Sequence, residues 1–208
     1  MGDELIGGWG FYDSVYAGGS CFIKDAASLA HQLEEAGGTA HQVRLTLEEN
    51  KFQRDYFYSR AQKEAGFSWT GKTVAILGVA FKKDTNDVRN SPAFDIVSHL
   101  LEDGVERIKV YDPVALDMFK TFLPRNDSRY EKIVYCGSEE DALRDSHGCL
   151  ILTDWPQFRL LAEKITTTCP SPYLVMDGRR MIQDQFEALV KKGYSVIAVG
   201  SPFMGNKK

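Results

Sequence analysis

Short apolar runs rich in β-branched residues recur from Gly71 onward, with helical patterns between most of them. The runs predict strands at Thr73–Val79, Ile108–Tyr111, Ile133–Tyr135, Cys149–Thr153, Tyr173–Met176 and Ser195–Val199. Ser91 and Pro92 suit the N-cap and the first position of a helix, and helices also fit Glu139–Arg144 and Gln183–Lys192. This alternation predicts an α/β fold with a doubly wound, mostly parallel sheet, whose ligands bind at the carboxyl ends of the strands.

The first 68 residues show a different pattern. The stretch up to residue 20 is rich in glycine and aromatic residues without a helical or strand period, which predicts a loop. Helices fit Lys24–Ala36 and Gln42–Ala65, and apolar residues on several sides of the second helix indicate more than one neighbour. We therefore divide the chain into a helical segment, residues 1–68, and a sheet domain, residues 69–208.

Composition excludes several classes of protein. The net charge of −4 argues against binding of nucleic acid by bulk charge. The longest apolar run, Val74–Phe81, is far shorter than the roughly 20 residues that span a bilayer, and the N-terminus does not resemble a secretory signal. The four cysteines form no CxxC pair, so neither a zinc site nor a disulfide framework is expected. We expect a soluble, cytoplasmic protein without a metal site.

The segment GGSCFIKD is the first candidate site. Gly18 and Gly19 allow a tight turn and close approach of the backbone to a ligand. Cys21 falls at a predicted helix start near Lys24, and both features favour the nucleophilic thiolate. Asp25 suits a helix cap or a group that orders a water molecule. The alternative is a buried cysteine after a Gly-Gly turn, with Asp25 as the cap.

The segment GVAFKKDTNDVR follows the first strand, where nucleotide phosphates bind in many α/β folds. Phe81 and Lys82 stand where the dinucleotide motif GxGxxG requires glycine, so this is not an ordinary NAD half-site. Lys82, Lys83 and Arg89 suit a diphosphate instead. The alternative is a solvated basic turn that pairs with its own aspartates.

The segment DGRR, residues 177–180, follows another strand, so Arg179 lies at a carboxyl end of the sheet. An arginine there can bind phosphate or a sugar hydroxyl through two donors. The alternative is a surface turn with ordinary ion pairs. The four histidines show no metal-ligand spacing, and we interpret them as structural or surface groups.

Together these segments resemble the nucleotide-sugar 6-dehydrogenases, the UDP-glucose/GDP-mannose dehydrogenase family, and most closely those acting on UDP-glucose. The matching segments are, in order, GGSCFIKD, GKTVAILGVAFKKDTNDVRNSP, VYDP, LILTDWPQF and VMDGRR. The resemblance implies a Rossmann-like domain for the nucleotide sugar, residues 69–208, preceded by a helical dimerisation segment. It also implies a homodimer or higher homo-oligomer, with no nucleic-acid or membrane partner. The family's N-terminal NAD-binding domain has no match, and GxGxxG is absent from these 208 residues. The chain alone is therefore expected to be inactive.

The resemblance also implies a reaction. Family enzymes oxidise the C6 alcohol of UDP-glucose to UDP-glucuronate with two NAD⁺, through a cysteine thiohemiacetal and then a thioester that is hydrolysed. By position, Cys21 is the implied nucleophile, and Asp25 is implied to help activate water. The implied cofactor-binding residues are Cys21, Lys24 and Arg89. The implied substrate-binding residues are Tyr12, Tyr16, Gly18, Gly19, Phe81, Lys82 and Arg179.

Other functions fit the same motifs. A sister enzyme acting on GDP-mannose or a UDP-N-acetylhexosamine shares most of them. A UDP-sugar-binding or dimerisation module without catalysis is favoured by the missing dinucleotide motif. A nonfunctional remnant of a gene is the third alternative.

Overall fold

The computed structural model describes residues 13–205. A helical hairpin comes first, with α1 at Cys21–Glu35 and α2 at His41–Ala65. The sequence predicted these helices at Lys24–Ala36 and Gln42–Ala65, so the first begins three residues earlier than expected and the second is confirmed. No helix in the described part of the chain is both long and apolar enough to cross a membrane.

A six-stranded sheet follows the hairpin, in the order β3-β2-β1-β4-β5-β6. The strands are β1 Thr73–Leu77, β2 Arg107–Tyr111, β3 Ile133–Tyr135, β4 Gly148–Ile151, β5 Leu174–Asp177 and β6 Ser195–Ala198. Each neighbouring pair is parallel, which confirms the predicted doubly wound α/β fold. Because β1 and β4 are neighbours at the centre, the point where the strand order reverses lies between their carboxyl ends.

The helices that connect the strands are α3 Pro92–Glu102, α4 Leu116–Phe122, α5 Glu139–Leu143, α6 Leu161–Thr168 and α7 Phe186–Lys191. Short 3-10 turns occur at Ser128–Lys132, Pro156–Leu160 and Gln183–Gln185. Ser91 caps α3, since its Oγ accepts a hydrogen bond from the Ala93 amide at 3.3 Å. The predicted helix at Gln183–Lys192 is divided into a 3-10 turn and α7, while α4 and α6 were not predicted individually.

The hairpin is fixed to the sheet mainly through α2. Arg60 is buried, and its guanidinium donates to the carbonyl oxygens of Ala198 and Ser201, at 2.7 Å each. The loop before α1 also docks on the sheet, because the wholly buried Val15 packs against Gly178 just after β5. This docking brings the N-terminal loop to the carboxyl ends of the strands.

Candidate functional site

A cleft of about 690 Å³ lies at the carboxyl edge of the sheet. The loop before α1, the turn after β1, the loop after β5 and one side of α2 form its walls. Among the predicted substrate-binding residues, those that line it are Tyr16, Gly18, Phe81, Lys82 and Arg179. Gly19 packs on the Phe81 ring, and Tyr12 lies outside the described residues.

Arg179 contributes a buried cation to this cleft. Its side chain is 8% exposed, and one Nη lies 3.0 Å from a carboxylate oxygen of Asp154. Its Nε has no hydrogen-bond partner among the described residues. Arg179 lines the cleft, so its positive charge acts on a ligand bound there.

Asp177 holds the loop that carries Arg179. Its buried carboxylate accepts the backbone N–H groups of Arg179 and Ile182, at 3.0 Å each. Burial raises the pKa of Asp177, while these donors act in the opposite direction. Gly178 lies between Asp177 and Arg179, and a Cβ on it would be 2.8 Å from Val15 and 2.9 Å from the Ile151 carbonyl oxygen. Only glycine therefore lets the two loops pack at this distance.

The N-terminal loop is tied to α2 as well. The Asn50 side-chain amide accepts the Ala17 N–H at 2.7 Å and donates to the Ala17 carbonyl at 3.1 Å. The ring of Tyr16 is buried, and the Arg54 guanidinium lies 5.3 Å from its centre. Burial raises the pKa of Tyr16. These contacts hold the loop in place over one side of the cleft.

The turn after β1 is organised by the buried carboxylate of Asp112, at the end of β2. One oxygen accepts the Val79 and Ala80 amides and the Trp155 indole N–H, at 2.8, 3.0 and 3.1 Å. The other accepts the amides of residues 114 and 115. In a dinucleotide-binding fold, amides at this turn bind the pyrophosphate. Here the Asp112 carboxylate already accepts the Val79 and Ala80 amides, so the turn does not fit the pyrophosphate of NAD.

Lys82 lies at the tip of this turn, with its Nζ 5.4 Å from the centre of the Phe81 ring. The next residue, Lys83, donates its backbone N–H to Asp154, the same carboxylate that pairs with Arg179. The turn after β1 and the loop after β5 are thereby joined through one aspartate. An exposed cation and a buried cation line the same cleft, an arrangement suited to a diphosphate.

Cys21 is the first residue of α1 and is exposed, whereas the other three cysteines are buried. The interpretation of Cys21 as a buried cysteine is therefore wrong. The alternative that made Asp25 a helix cap is also wrong, because α1 has already begun four residues earlier and has no side-chain cap. The Asp25 carboxylate instead pairs with the Lys24 ammonium at 3.0 Å.

The two predicted cofactor-binding cations lie outside the cleft. Lys24 and Arg89 line a neighbouring groove of about 580 Å³ with an apolar wall that includes Phe94 and Phe122. The Arg89 guanidinium forks onto the Asp87 carboxylate, with contacts of 2.7 to 3.1 Å, and holds the pKa of that carboxyl below its usual value. Residues 13–205 contain no cluster of three or more His, Cys, Asp or Glu side chains that could hold a metal ion.

Comparison of the sequence with known proteins identifies a family. Residues 75–184 match the sequence model of the UDP-glucose/GDP-mannose dehydrogenase family, UDP binding domain. The chain belongs to this family.

Two members of the family are similar along most of this chain. A UDP-glucose 6-dehydrogenase of Bacillus subtilis (strain 168) is 34% identical over 201 residues, which cover 96% of this chain and 41% of the relative. UDP-glucose 6-dehydrogenase 2 of Arabidopsis thaliana is 32% identical over 218 residues, covering 96% and 45%. The chain thus spans less than half the length of these dehydrogenases.

A solved structure shares the fold. The UDP-glucose dehydrogenase of the archaeon Pyrobaculum islandicum superposes with a TM-score of 0.68 and 27% identity, over 83% of this chain and 36% of that one.

Sequence reasoning assigned no role to three residues that organise the site. Asp112 stands in the quoted motif VYDP, and its place after a strand was the one available signal. Asn50 lies within a helix and carries no recognisable pattern. Asn90, whose side-chain amide donates to the Gly19 carbonyl at 3.0 Å, stands in the quoted segment that ends NSP, but nothing there indicates its partner. Their importance emerges only from contacts across the fold.

Proposed function

We propose that this chain is the nucleotide-sugar-binding portion of a UDP-sugar 6-dehydrogenase that oxidises UDP-glucose to UDP-glucuronate. The observation that carries the proposal is the pair of cations Arg179 and Lys82, which line the same cleft. The cleft volume of about 690 Å³ falls in the usual range for small-molecule sites. Family membership and the position of the cleft at the reversal of strand order support the same function.

In this proposal the diphosphate is bound by Arg179 and Lys82, with Phe81 beside it. The segment that includes Tyr16, Gly18 and Gly19 lies over the sugar and directs its C6 end towards Cys21. This assignment agrees with the chain path, because the residues that line the cleft lead directly through the Gly-Gly turn to the cysteine.

Cys21 performs the covalent step. Its sulfur adds to the C6 aldehyde, so a C–S bond forms and the carbonyl oxygen takes up a proton to give a thiohemiacetal. Once C6 has reached the acid level as a thioester, water attacks the carbon, the C–S bond breaks and the thiol is regenerated. Asp25 is proposed to orient that water. Both oxidations need a hydride acceptor, proposed to be NAD held elsewhere in the complete enzyme, with Lys24 and Arg89 beside it.

The complete enzyme is proposed to be cytoplasmic and to assemble at least as a homodimer through α2. The exposed aromatic pair Phe52 and Tyr56 on this helix, with ring centres 5.9 Å apart, supports such an interface. A strict monomer in light scattering at micromolar concentration would contradict the assembly.

Calorimetry with UDP-glucose tests the binding function. The wild-type chain should bind weakly, and Arg179→Ala should lower the affinity about 10- to 100-fold, since charge-assisted hydrogen bonds contribute about 1.5–3 kcal/mol. The matched control is Arg129→Ala, an exposed arginine paired with Asp127, which should leave the affinity within about twofold. Equal affinities for wild type and Arg179→Ala would overturn the proposal.

Two further measurements separate the alternatives. Stronger binding of GDP-mannose or a UDP-N-acetylhexosamine than of UDP-glucose would favour a sister enzyme. The position of Asp112 on the turn amides favours a module that needs another part of the enzyme for NAD, so the chain alone should form no NADH. Clear NADH production by the purified chain would contradict that expectation.

A further inference from the structure

We propose that Asn90 is a positioning residue that fixes the Cys21 thiol relative to the nucleotide-sugar cleft. The proposal rests on the function proposed above, since it concerns where the sugar meets the cysteine. Within residues 13–205, Asn90 makes no side-chain hydrogen bond to the loop after β5 or to the Cys21 thiol. It acts through Gly19, two residues before Cys21.

Both backbone groups of Gly19 are bound by one short segment. The Gly19 N–H donates to the Arg89 carbonyl at 3.1 Å, and the Asn90 side-chain amide donates to the Gly19 carbonyl at 3.0 Å. The preceding glycine is packed as tightly, because a Cβ on Gly18 would lie 2.5 Å from the Asn90 carbonyl oxygen. The Gly-Gly turn is therefore locked onto residues 89–90.

The backbone of Asn90 is unusual as well. Its φ of +51° lies in the left-handed region, which asparagine tolerates better than most residues. Gly19 also has a positive φ, +83°. Two such residues held together by a side-chain hydrogen bond define one arrangement of the turn, and hence one starting point for α1.

The chain from Phe81 to Asn90 forms one segment, and its first two residues, Phe81 and Lys82, line the cleft. A hydrogen bond of 3.1 Å from the Phe81 N–H to the Asp87 carbonyl closes this segment into a loop. Ser91 then anchors it to α3 as the N-cap. One hydrogen-bonded segment thus contacts the cleft at one end and the cysteine turn at the other. A misplacement of about 1 Å between reacting groups can lower a rate about 10²-fold.

Two variants separate the side-chain hydrogen bond from the backbone requirement. Asn90→Asp keeps the shape and the tolerance for positive φ, but it removes the donor and places a carboxylate oxygen against the Gly19 carbonyl. Asn90→Gly removes the donor and accommodates the positive φ without strain. If the only role of the Asn90 side chain is to tolerate the positive φ, both variants should behave as wild type. The matched control is Asn126→Asp, an exposed asparagine in a separate loop.

The probe is a UDP-sugar with a chloroacetamido group at C6, used on the full 208-residue chain. The Cys21 sulfur attacks the chloromethyl carbon, a C–S bond forms, chloride leaves and the thiol proton goes to solvent. Peptide mass spectrometry gives the half-saturating concentration, which reports binding, and the limiting rate, which reports thiol placement. Free iodoacetamide, which needs no placement, measures accessibility and intrinsic reactivity.

For Asn90→Asp and Asn90→Gly we expect a limiting rate at least tenfold lower, with half-saturation and the iodoacetamide rate within about threefold of wild type. Wild-type limiting rates in both variants would overturn the positioning role. Equal losses in labelling and in iodoacetamide reactivity would also overturn it, since they would indicate a general structural role. If the wild-type chain shows no saturable labelling of Cys21, the proposed function itself fails, and the positioning role fails with it.

Discussion

Replacing Asp112 with asparagine tests whether one buried carboxylate organises the turn after β1. The two oxygens of Asp112 accept five donors, three on one oxygen and two on the other. An asparagine amide nitrogen cannot accept, so at least two donors lose their partner whichever way the amide is oriented. At roughly 1–3 kcal/mol for each buried donor left unpaired, the free energy of unfolding should fall by about 2–6 kcal/mol.

Urea denaturation at pH 7, followed by tryptophan fluorescence, measures this loss. Trp155 is a suitable reporter because its indole N–H binds the same carboxylate. The matched control is Asp117→Asn, whose side chain is 99% exposed and whose midpoint should not change. A stability for Asp112→Asn within about 1 kcal/mol of wild type, at an unchanged m-value, would refute the reasoning.

Three further predictions follow from individual contacts. Gly19→Ala should weaken UDP-glucose binding in calorimetry, because its Cβ would lie 2.8 Å from the Phe81 ring. The control Gly37→Ala should leave binding unchanged, since Gly37 also has a positive φ but no atom of the described residues lies within 4 Å of its Cβ. Burial and a hydrogen bond to a carboxylate raise the pKa of Tyr58 well above 10, so its stabilisation is present below about pH 10 and lost at higher pH. Absorbance at 295 nm should therefore show fewer than the nine tyrosines ionising before unfolding, and complete ionisation of the folded chain near pH 10 would contradict this. Iodoacetamide should modify Cys21 in the folded chain and the other three cysteines only after denaturation; uniform labelling in peptide mass spectrometry would contradict the burial of those three.

The fold was predictable because its strands are short, apolar and rich in β-branched residues. Runs such as Thr73–Leu77 can be buried on both faces only in a covered sheet, and the helices between them require parallel crossovers. The helices α4 and α6 were given no bounds from the sequence, because neither begins with a capping side chain, whereas Ser138 caps the shorter α5. Gln183–Gln185 tightens into a 3-10 turn that no sequence pattern distinguishes from the start of α7.

The positions of the candidate site residues were predictable where those residues stand in a local motif. Cys21, Lys82 and Arg179 each stand in a recognisable segment at the end of a loop or strand. The residues that hold these segments together were not predictable, because their partners are distant in sequence. Asn50 lies 33 residues from Ala17, and Asn90 lies 71 residues from Gly19. Such pairs depend on how the loops pack in three dimensions, and no local sequence pattern indicates which two residues will meet.

A crystal structure of this chain with UDP-glucose tests the central claim most directly. The nucleotide sugar should occupy the cleft of about 690 Å³, with a diphosphate oxygen within about 3.2 Å of an Arg179 guanidinium nitrogen and another near Lys82 Nζ. The sugar should extend past Gly18 towards Cys21. A nucleotide bound at another surface, or one in the cleft whose diphosphate contacts neither Arg179 nor Lys82, would contradict this binding site.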